Sequence, residues 1–82
     1  MAFRSILISE ATKINLDLNN IVIRYNGDNY HINLDEISTL VLDDARCLVS
    51  IKLLSELCEK GITVILTDGS HKPVGTLTTL YN

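Results

Sequence analysis

The sequence predicts a β-rich α+β domain, built as a sandwich-like pair of small sheets with an antiparallel meander in one of them and a single crossover helix. Three observations predict it. Apolar and polar residues alternate with period two from Lys13 to Leu34. Three short stretches, Ile6-Leu7-Ile8, Leu40-Val41-Leu42 and Val64-Ile65-Leu66, are apolar without alternation. Between the last two lies one segment, Ala45 to Lys60, with helical spacing of its apolar residues.

Taken in chain order, Ile6-Leu7-Ile8 reads as a strand covered on both faces, because nothing in it is suited to water. The alternating region divides into three strands at two turns. Asn19-Asn20 suits a two-residue hairpin loop, since Asn tolerates positive φ, and Asn26-Gly27-Asp28-Asn29 forms the second. These loops set Leu18 opposite Ile21, Leu16 opposite Ile23 and Ile14 opposite Tyr25. They then set Tyr25 opposite Tyr30, Ile23 opposite Ile32 and Ile21 opposite Leu34. Opposed residues share a face, so all nine fall on one side of the meander. Asn15, Asp17, Arg24, His31 and Asn33 fall on the other. A slip of one residue would destroy the separation.

Leu40-Val41-Leu42 and Val64-Ile65-Leu66 read like the first run, as strands covered on both faces. The segment between them predicts a helix over Ala45 to Lys60, capped by Asp43 or Asp44 and stopped by Gly61 in the left-handed conformation. Cys47, Ile51, Leu54 and Cys58, with Leu57 and Leu48 beside them, form its apolar stripe. Lys52, Glu56, Glu59 and Lys60 lie opposite, with Glu56 and Lys60 a favourable pair. Strand, helix, strand at this length is a right-handed βαβ crossover. Its layer is the only cover on offer for the apolar face of the meander.

Composition bounds the function. A chain of 82 residues with 46% hydrophobic and 21% charged residues is one small soluble domain, and no apolar run reaches the roughly 18 residues of a bilayer span. A cytoplasmic location is the default reading. The formal net charge of −3 and the scatter of the seven cations count against a free-standing nucleic-acid-binding domain. Two cysteines do not make a disulfide scaffold.

Candidate chemistry is sparse. Cys47 and Cys58 with His31 and His71 are the right residue types for zinc, but on a helix the two cysteines would stand about 16 Å apart along the axis, too far for one ion. They read as small buried hydrophobes. The stretch Gly69 to Gly75 lacks the Gly-Lys-Ser/Thr ending of a phosphate loop and reads as a turn. The acidic pairs Asp35-Glu36 and Asp43-Asp44 read as a solvated turn and a helix start. His71 follows a strand but has no identifiable nucleophile or orienting partner beside it. The residues themselves therefore predict no catalytic, metal or cofactor site.

Several stretches taken together carry a resemblance. They are Leu34-Asp35-Glu36-Ile37-Ser38-Thr39-Leu40-Val41-Leu42, Val49-Ser50-Ile51-Lys52-Leu53-Leu54-Ser55-Glu56-Leu57, Gly61-Ile62-Thr63-Val64-Ile65-Leu66-Thr67-Asp68 and His71-Lys72-Pro73-Val74-Gly75. In this order, with Phe3-Arg4-Ser5-Ile6-Leu7-Ile8 at the start and Asp17-Leu18-Asn19-Asn20 after it, the chain resembles the N-terminal domain of the CRISPR-associated integrases of spacer acquisition, most like the type II-A branch. The resemblance implies a single β-rich dimerisation domain over residues 1–82, with the family's helical catalytic domain absent from the chain. It implies a longer parent enzyme that uses Mg²⁺ or Mn²⁺ to cut DNA and insert prespacers into the CRISPR array in antiviral defence. The implied partners are a second copy of the chain, the second CRISPR-associated protein of the adaptation complex, and double-stranded prespacer DNA. No catalytic or metal residue carries over, and the 82 residues alone are expected to be inactive.

Arg4, Lys13 and Arg24 are the candidate DNA contacts, and Val49 and Leu53, apolar but off the main helical stripe, are the candidate contacts between copies. Where related integrases place an aromatic or His that stacks on the prespacer end, this chain has Glu10-Ala11, neither of which can stack on a base pair. Tyr25 and Tyr30 are the neighbouring aromatics, with packing at the edge of the meander as their plainer role. A complete, non-catalytic protein-interaction module is the alternative reading of the same strand pattern.

Overall fold

The computed structural model describes residues 4–10, 13–43 and 46–80. Among the described residues, eight strands and one α-helix make two four-stranded mixed sheets, confirming the α+β, strand-rich class. The first sheet has the order β1 (Arg4–Ile8), β5 (Ile37–Leu42), β7 (Thr63–Thr67), β8 (Pro73–Leu77). Its first three strands run parallel and β8 returns antiparallel. The second has the order β4 (Asp28–Asn33), β3 (Asn20–Tyr25), β2 (Lys13–Asp17), β6 (Leu48–Val49). Both inner faces contribute to one apolar core, Ile8, Leu40, Leu42 and Val64 from the first and Ile14, Ile21 and Ile23 from the second.

The meander forms, but both registers shift by two: the first hairpin keeps a two-residue loop that sits one residue earlier than the loop chemistry predicts, and the second closes two residues tighter. Leu16 pairs with Ile21 and Ile14 with Ile23 across a Leu18-Asn19 turn. Ile21 pairs with Ile32 and Ile23 with Tyr30 across an Asn26-Gly27 turn. A two-residue shift preserves side-chain parity, so Ile14, Leu16, Ile21, Ile23, Tyr30 and Ile32 still share a face. Asn26 and Gly27 both have positive φ, +56° and +86°, as a tight hairpin turn requires. The first turn instead forces Leu18 to φ +57° and leaves it 89% exposed, which removes it from the apolar face. Asn19 and Asn20 are recruited elsewhere. The Asn19 side-chain amide donates to Asn33 Oδ1 and Asp35 Oδ2 (3.4 and 3.1 Å), and Asn33 Nδ2 donates to Asn20 Oδ1 (3.3 Å). Asn33 Oδ1 in turn caps the 3-10 turn Leu34–Glu36 by accepting from the Asp35 amide.

The helix α1 runs only from Ile51 to Glu59. Its cap is Ser50, whose Oγ accepts from the Leu53 amide at 3.1 Å, and not Asp43. Asp44 and Ala45 lie outside the described residues. Leu48 and Val49, expected within the helix, pair in parallel with Lys13 and Ile14 as β6. The C-terminal signal holds: Gly61 has φ +75°, its amide donates to the Cys58 carbonyl, and the Ile62 amide donates to the Leu57 carbonyl at 2.9 Å. Burial rotates the helix from the expected stripe. Leu53 and Leu57 are fully buried, Leu54 and Cys58 half-buried, and Ile51 is 75% exposed. Cys47 precedes β6 and is half-buried. Lys60 pairs with Asp35 at 3.6 Å.

The three apolar runs are strands of one sheet, but they are not covered on both faces. Ile6 and Ile8, Leu40 and Leu42, and Val64 and Leu66 face the core. The intervening residues Leu7, Val41 and Ile65 form a row on the outer side, where Leu7 is 64% exposed.

Candidate nucleic-acid interface

The outer face of the second sheet collects the polar residues of the meander. Register places Lys13, Arg24 and Asn29 in one row across β2, β3 and β4, and Asn15, Val22 and His31 in the next. Lys13 and Arg24 are therefore direct cross-strand neighbours. Leu48 stands beside Lys13 at the β6 edge. Arg4 is not part of this group. It begins β1 in the other sheet, and its guanidinium meets Glu36 at 3.7 Å.

The candidate contacts between copies separate as well. Leu53 is fully buried beneath the helix and has no surface to offer a second chain, which corrects that expectation. The helical spacing misled because the helix begins after Val49, so the face turned to the core is the one that carries Leu53 and Leu57. Val49 is half-buried in β6 opposite Ile14.

Tyr25 and Tyr30 meet with ring centroids 6.5 Å apart and planes tilted by 51°. With Ile6, Ile8, Ile23 and Ile32 they line an open apolar groove of about 370 Å³ between β1 and the meander. Glu10, in the left-handed conformation at φ +61°, closes its end. Ala11 lies outside the described residues.

One polar cluster was not foreseen. Asp43 follows β5 and accepts from Thr67 Oγ1 at 2.6 Å on one carboxylate oxygen, while His71 Nδ1 lies 2.8 Å from the other. The Thr67 hydroxyl bond, then the bond and charge of His71, outweigh desolvation and hold the Asp43 carboxyl below its ordinary pKa. Asp68 Oδ1 accepts the Ser70 and Lys72 amides at 2.7 and 3.0 Å, and His71 takes φ +65°. Asp43, Asp68, Gly69 and His71 rim a cleft of about 380 Å³ with Ser9, Glu10 and Arg46, beyond the carboxyl ends of β1, β5 and β7. The signal was present in the sequence as polar residues directly after three parallel strands, but the partners are 24 and 28 residues apart along the chain. The carboxylate oxygens of Asp43 and one of those of Asp68 serve to fix the β7–β8 loop.

Cys47 and Cys58 are free thiols. Among the described residues no group of three or more His, Cys, Asp or Glu is placed to hold a metal ion, so these side chains do not fit a Mg²⁺ or Mn²⁺ centre. Among the same residues no helix is long and apolar enough to cross a membrane.

The class these elements define is a strand-rich α+β domain of two four-stranded mixed sheets, with one α-helix among the described residues and a polar, cation-bearing outer face on the second sheet. The family profile for CRISPR associated protein Cas1 matches residues 6–82, and the chain belongs to that family. Its sequence is 31% identical over 75 residues to the CRISPR-associated endonuclease Cas1 of Neisseria meningitidis serogroup C (strain 8013), covering 92% of this chain and 25% of the relative. The chain thus spans about a quarter of that relative's length. The same fold occurs in a Cas6-RT-Cas1–Cas2 complex, with TM-score 0.82, 18% identity, and coverage of 94% of this chain and 9% of the other. It also occurs in a TtCas1–DNA complex, with TM-score 0.80, 14% identity, and coverage of 95% and 29%.

Proposed function

We propose that these 82 residues act as the N-terminal dimerisation and DNA-support domain of a cytoplasmic CRISPR adaptation integrase, a metal-dependent endonuclease that inserts prespacers into the array. The observation that carries this reading is family membership across residues 6–82. The relatives' assembly with a second Cas protein and with DNA supports the same partners here. On this reading the Mg²⁺ or Mn²⁺ ligands and the cutting and joining chemistry belong to the part of the family's length that this chain does not span. The domain's own work is to hold a duplex and to pair with a second copy.

The DNA-facing surface in this proposal is the outer side of the second sheet. Lys13 and Arg24, set directly opposite one another, bring two cationic side chains close enough to meet one phosphate. Asn15, Asn29 and His31 surround the pair with side chains able to bond phosphate oxygens. Arg4, on the other sheet, would reach a duplex only at its flank. The net charge of −3 keeps the affinity of the isolated domain low, and its salt dependence scales with the few phosphates that Lys13 and Arg24 neutralise.

The test is fluorescence anisotropy of the 82-residue protein on a blunt DNA duplex across a salt series. Lys13→Ala and Arg24→Ala are each expected to weaken binding at low salt and to lower the salt slope by about one. Binding that survives both changes and is lost in Arg4→Ala would move the interface to the first sheet. The same preparations are expected to leave DNA uncut with Mg²⁺ or Mn²⁺, and metal-dependent nicking would overturn the scaffolding role.

A further inference from the structure

We propose that Asn26 is a site of spontaneous covalent modification, at which the side-chain amide at the tip of the β3–β4 hairpin is converted without an enzyme into a mixture of aspartate and isoaspartate. The electrophile is the Asn26 carboxamide carbon, and the nucleophile is the backbone nitrogen of the next residue, Gly27. That nitrogen, on losing its proton, bonds to Cγ of Asn26 and closes a succinimide ring. The Cγ–Nδ2 bond breaks, and the side-chain nitrogen leaves as ammonia with the proton. Water then adds to one of the two ring carbonyls and breaks its bond to the ring nitrogen. Opening at the side-chain carbonyl gives aspartate. Opening at the main-chain carbonyl gives isoaspartate, whose backbone runs through the former side chain.

The hairpin tip meets the needs of both partners. Gly27 has no side chain to shield its nitrogen. Nothing lies within 4 Å of the place where a Gly27 Cβ would stand, which leaves room for the ring. The pairing that closes the hairpin is between Tyr25 and Asp28, so the Gly27 amide stays outside the ladder. Both Asn26 and Gly27 are exposed, so water reaches the ring and ammonia escapes. The side-chain amides of Asn19 and Asn33 are held by hydrogen bonds, whereas none among the described residues holds that of Asn26.

The same chemistry sets the other candidates apart. Asn15, Asn19, Asn20, Asn29 and Asn33 are each followed by Leu, Asn, Ile or Tyr, whose side chains crowd the attacking nitrogen. Asp68 precedes Gly69, but an ionised carboxylate is a poor electrophile, and Asp68 Oδ1 is held by the Ser70 and Lys72 amides. The consequence at Asn26 is structural. The tight turn needs positive φ at both Asn26 and Gly27. Isoaspartate adds a methylene to the main chain between them, so the two-residue loop no longer matches the Tyr25–Asp28 pairing. Either product also adds one negative charge to a chain of net charge −3.

The test is to incubate the 82-residue protein at neutral and at mildly alkaline pH and to digest it with trypsin beside an unincubated sample. Fragmentation mass spectrometry then reads the peptide Tyr25–Arg46, which also contains Asn29 and Asn33. A gain of about 1 Da is expected at Asn26, faster at the higher pH and absent at Asn29 and Asn33. Asn26→Gln, whose longer side chain closes the ring far more slowly, is expected to show no gain. The isoaspartate form, separated by chromatography, is expected to melt lower on the order of 4–8 °C. Asn26→Asp, with the same charge on an unaltered backbone, is expected to melt close to wild type. An unchanged mass at Asn26, or an equal gain at Asn29 and Asn33, overturns the site. An isoaspartate form that melts with Asn26→Asp overturns its effect on the hairpin.

Discussion

The two sheets share a core and differ on their outer sides. Behind Leu40 and Val64 lies the row of Leu7, Val41 and Ile65. Behind Ile14 and Ile21 lie Lys13, Asn15, Arg24 and His31. The inner faces must match because they pack on each other. The outer faces are free to diverge, and in a domain this small they hold most of the surface available for recognition. The second sheet presents charge, suited to a ligand that also carries charge. The first presents the apolar row of Leu7, Val41 and Ile65, with charge only at its end, where Asp43 meets Thr67 and His71.

The sharpest way to break this comparison is to ask whether the insides are truly equivalent. Leu40 is 0% exposed in the first sheet and Ile14 is 1% exposed in the second. Leu40→Ala and Ile14→Ala are each expected to cost about 2–5 kcal/mol, the range for deleting a buried aliphatic side chain. Chemical denaturation reads both. A large loss for one and a small loss for the other would mean that the two sheets do not share a single cooperative core.

The turns sharpen the contrast on a smaller scale. Leu18 in the second sheet and His71 in the first both sit at positive φ, near +60°. His71 is held there by Asp43, whereas the Leu18 side chain is 89% exposed. Leu18→Asn is expected to stabilise the protein by up to about 1 kcal/mol, because Asn enters the left-handed region with less strain than Leu. A thermal melt showing no gain would place the strain elsewhere in the hairpin.

The smallest effect is confined to acid. Asp43 has its carboxyl pKa lowered from 3.8 by Thr67 and His71, so the folded state favours the ionised form. Its contribution to stability is complete above that ordinary value and is lost as pH falls through the lowered one. Asp43→Asn is expected to be less stable than wild type at pH 5, with the gap closing as pH drops below 3.8. Melting temperatures of the two proteins across that range check the sign, and a gap that widens in acid would refute it.

How much of this was legible in the sequence follows from distance along the chain. The meander, the facing of Ile14, Ile23 and Ile32, and the stop at Gly61 depend on local patterns and could be read directly. In the first hairpin Asn19 and Asn20 bond to Asn33 and Asp35, contacts between residues 13 to 16 positions apart that no turn preference encodes, whereas the second closes on Asn26-Gly27, a local signal that the four-residue reading of that turn passed over. The helix start moved because of a distant partner. Leu48 and Val49 have helical spacing, but a strand edge at Lys13 and Ile14 claims them. The Thr67–Asp43–His71 cluster stayed hidden because strand pairing alone brings its members together. For the site, Lys13 and Arg24 were named individually, while their adjacency needed the true register. Leu53 was misassigned because the helical phase was counted from the wrong first residue.

The parallel pairing of β1 with β5 also imposes an order of events at the ribosome. Ile6, Leu7 and Ile8 leave the exit tunnel before any strand they can bond to, because their partners Leu40, Val41 and Leu42 are made later. At roughly 5–20 residues per second, the intervening stretch of about 34 residues keeps this apolar strand waiting for on the order of 2–7 s. The meander from Lys13 to Asn33 is local and closes during that interval. The nascent chain thus builds its polar-backed sheet first, and the greasy opening strand depends on that sheet's inner face, or on a chaperone, for shelter until β5 arrives.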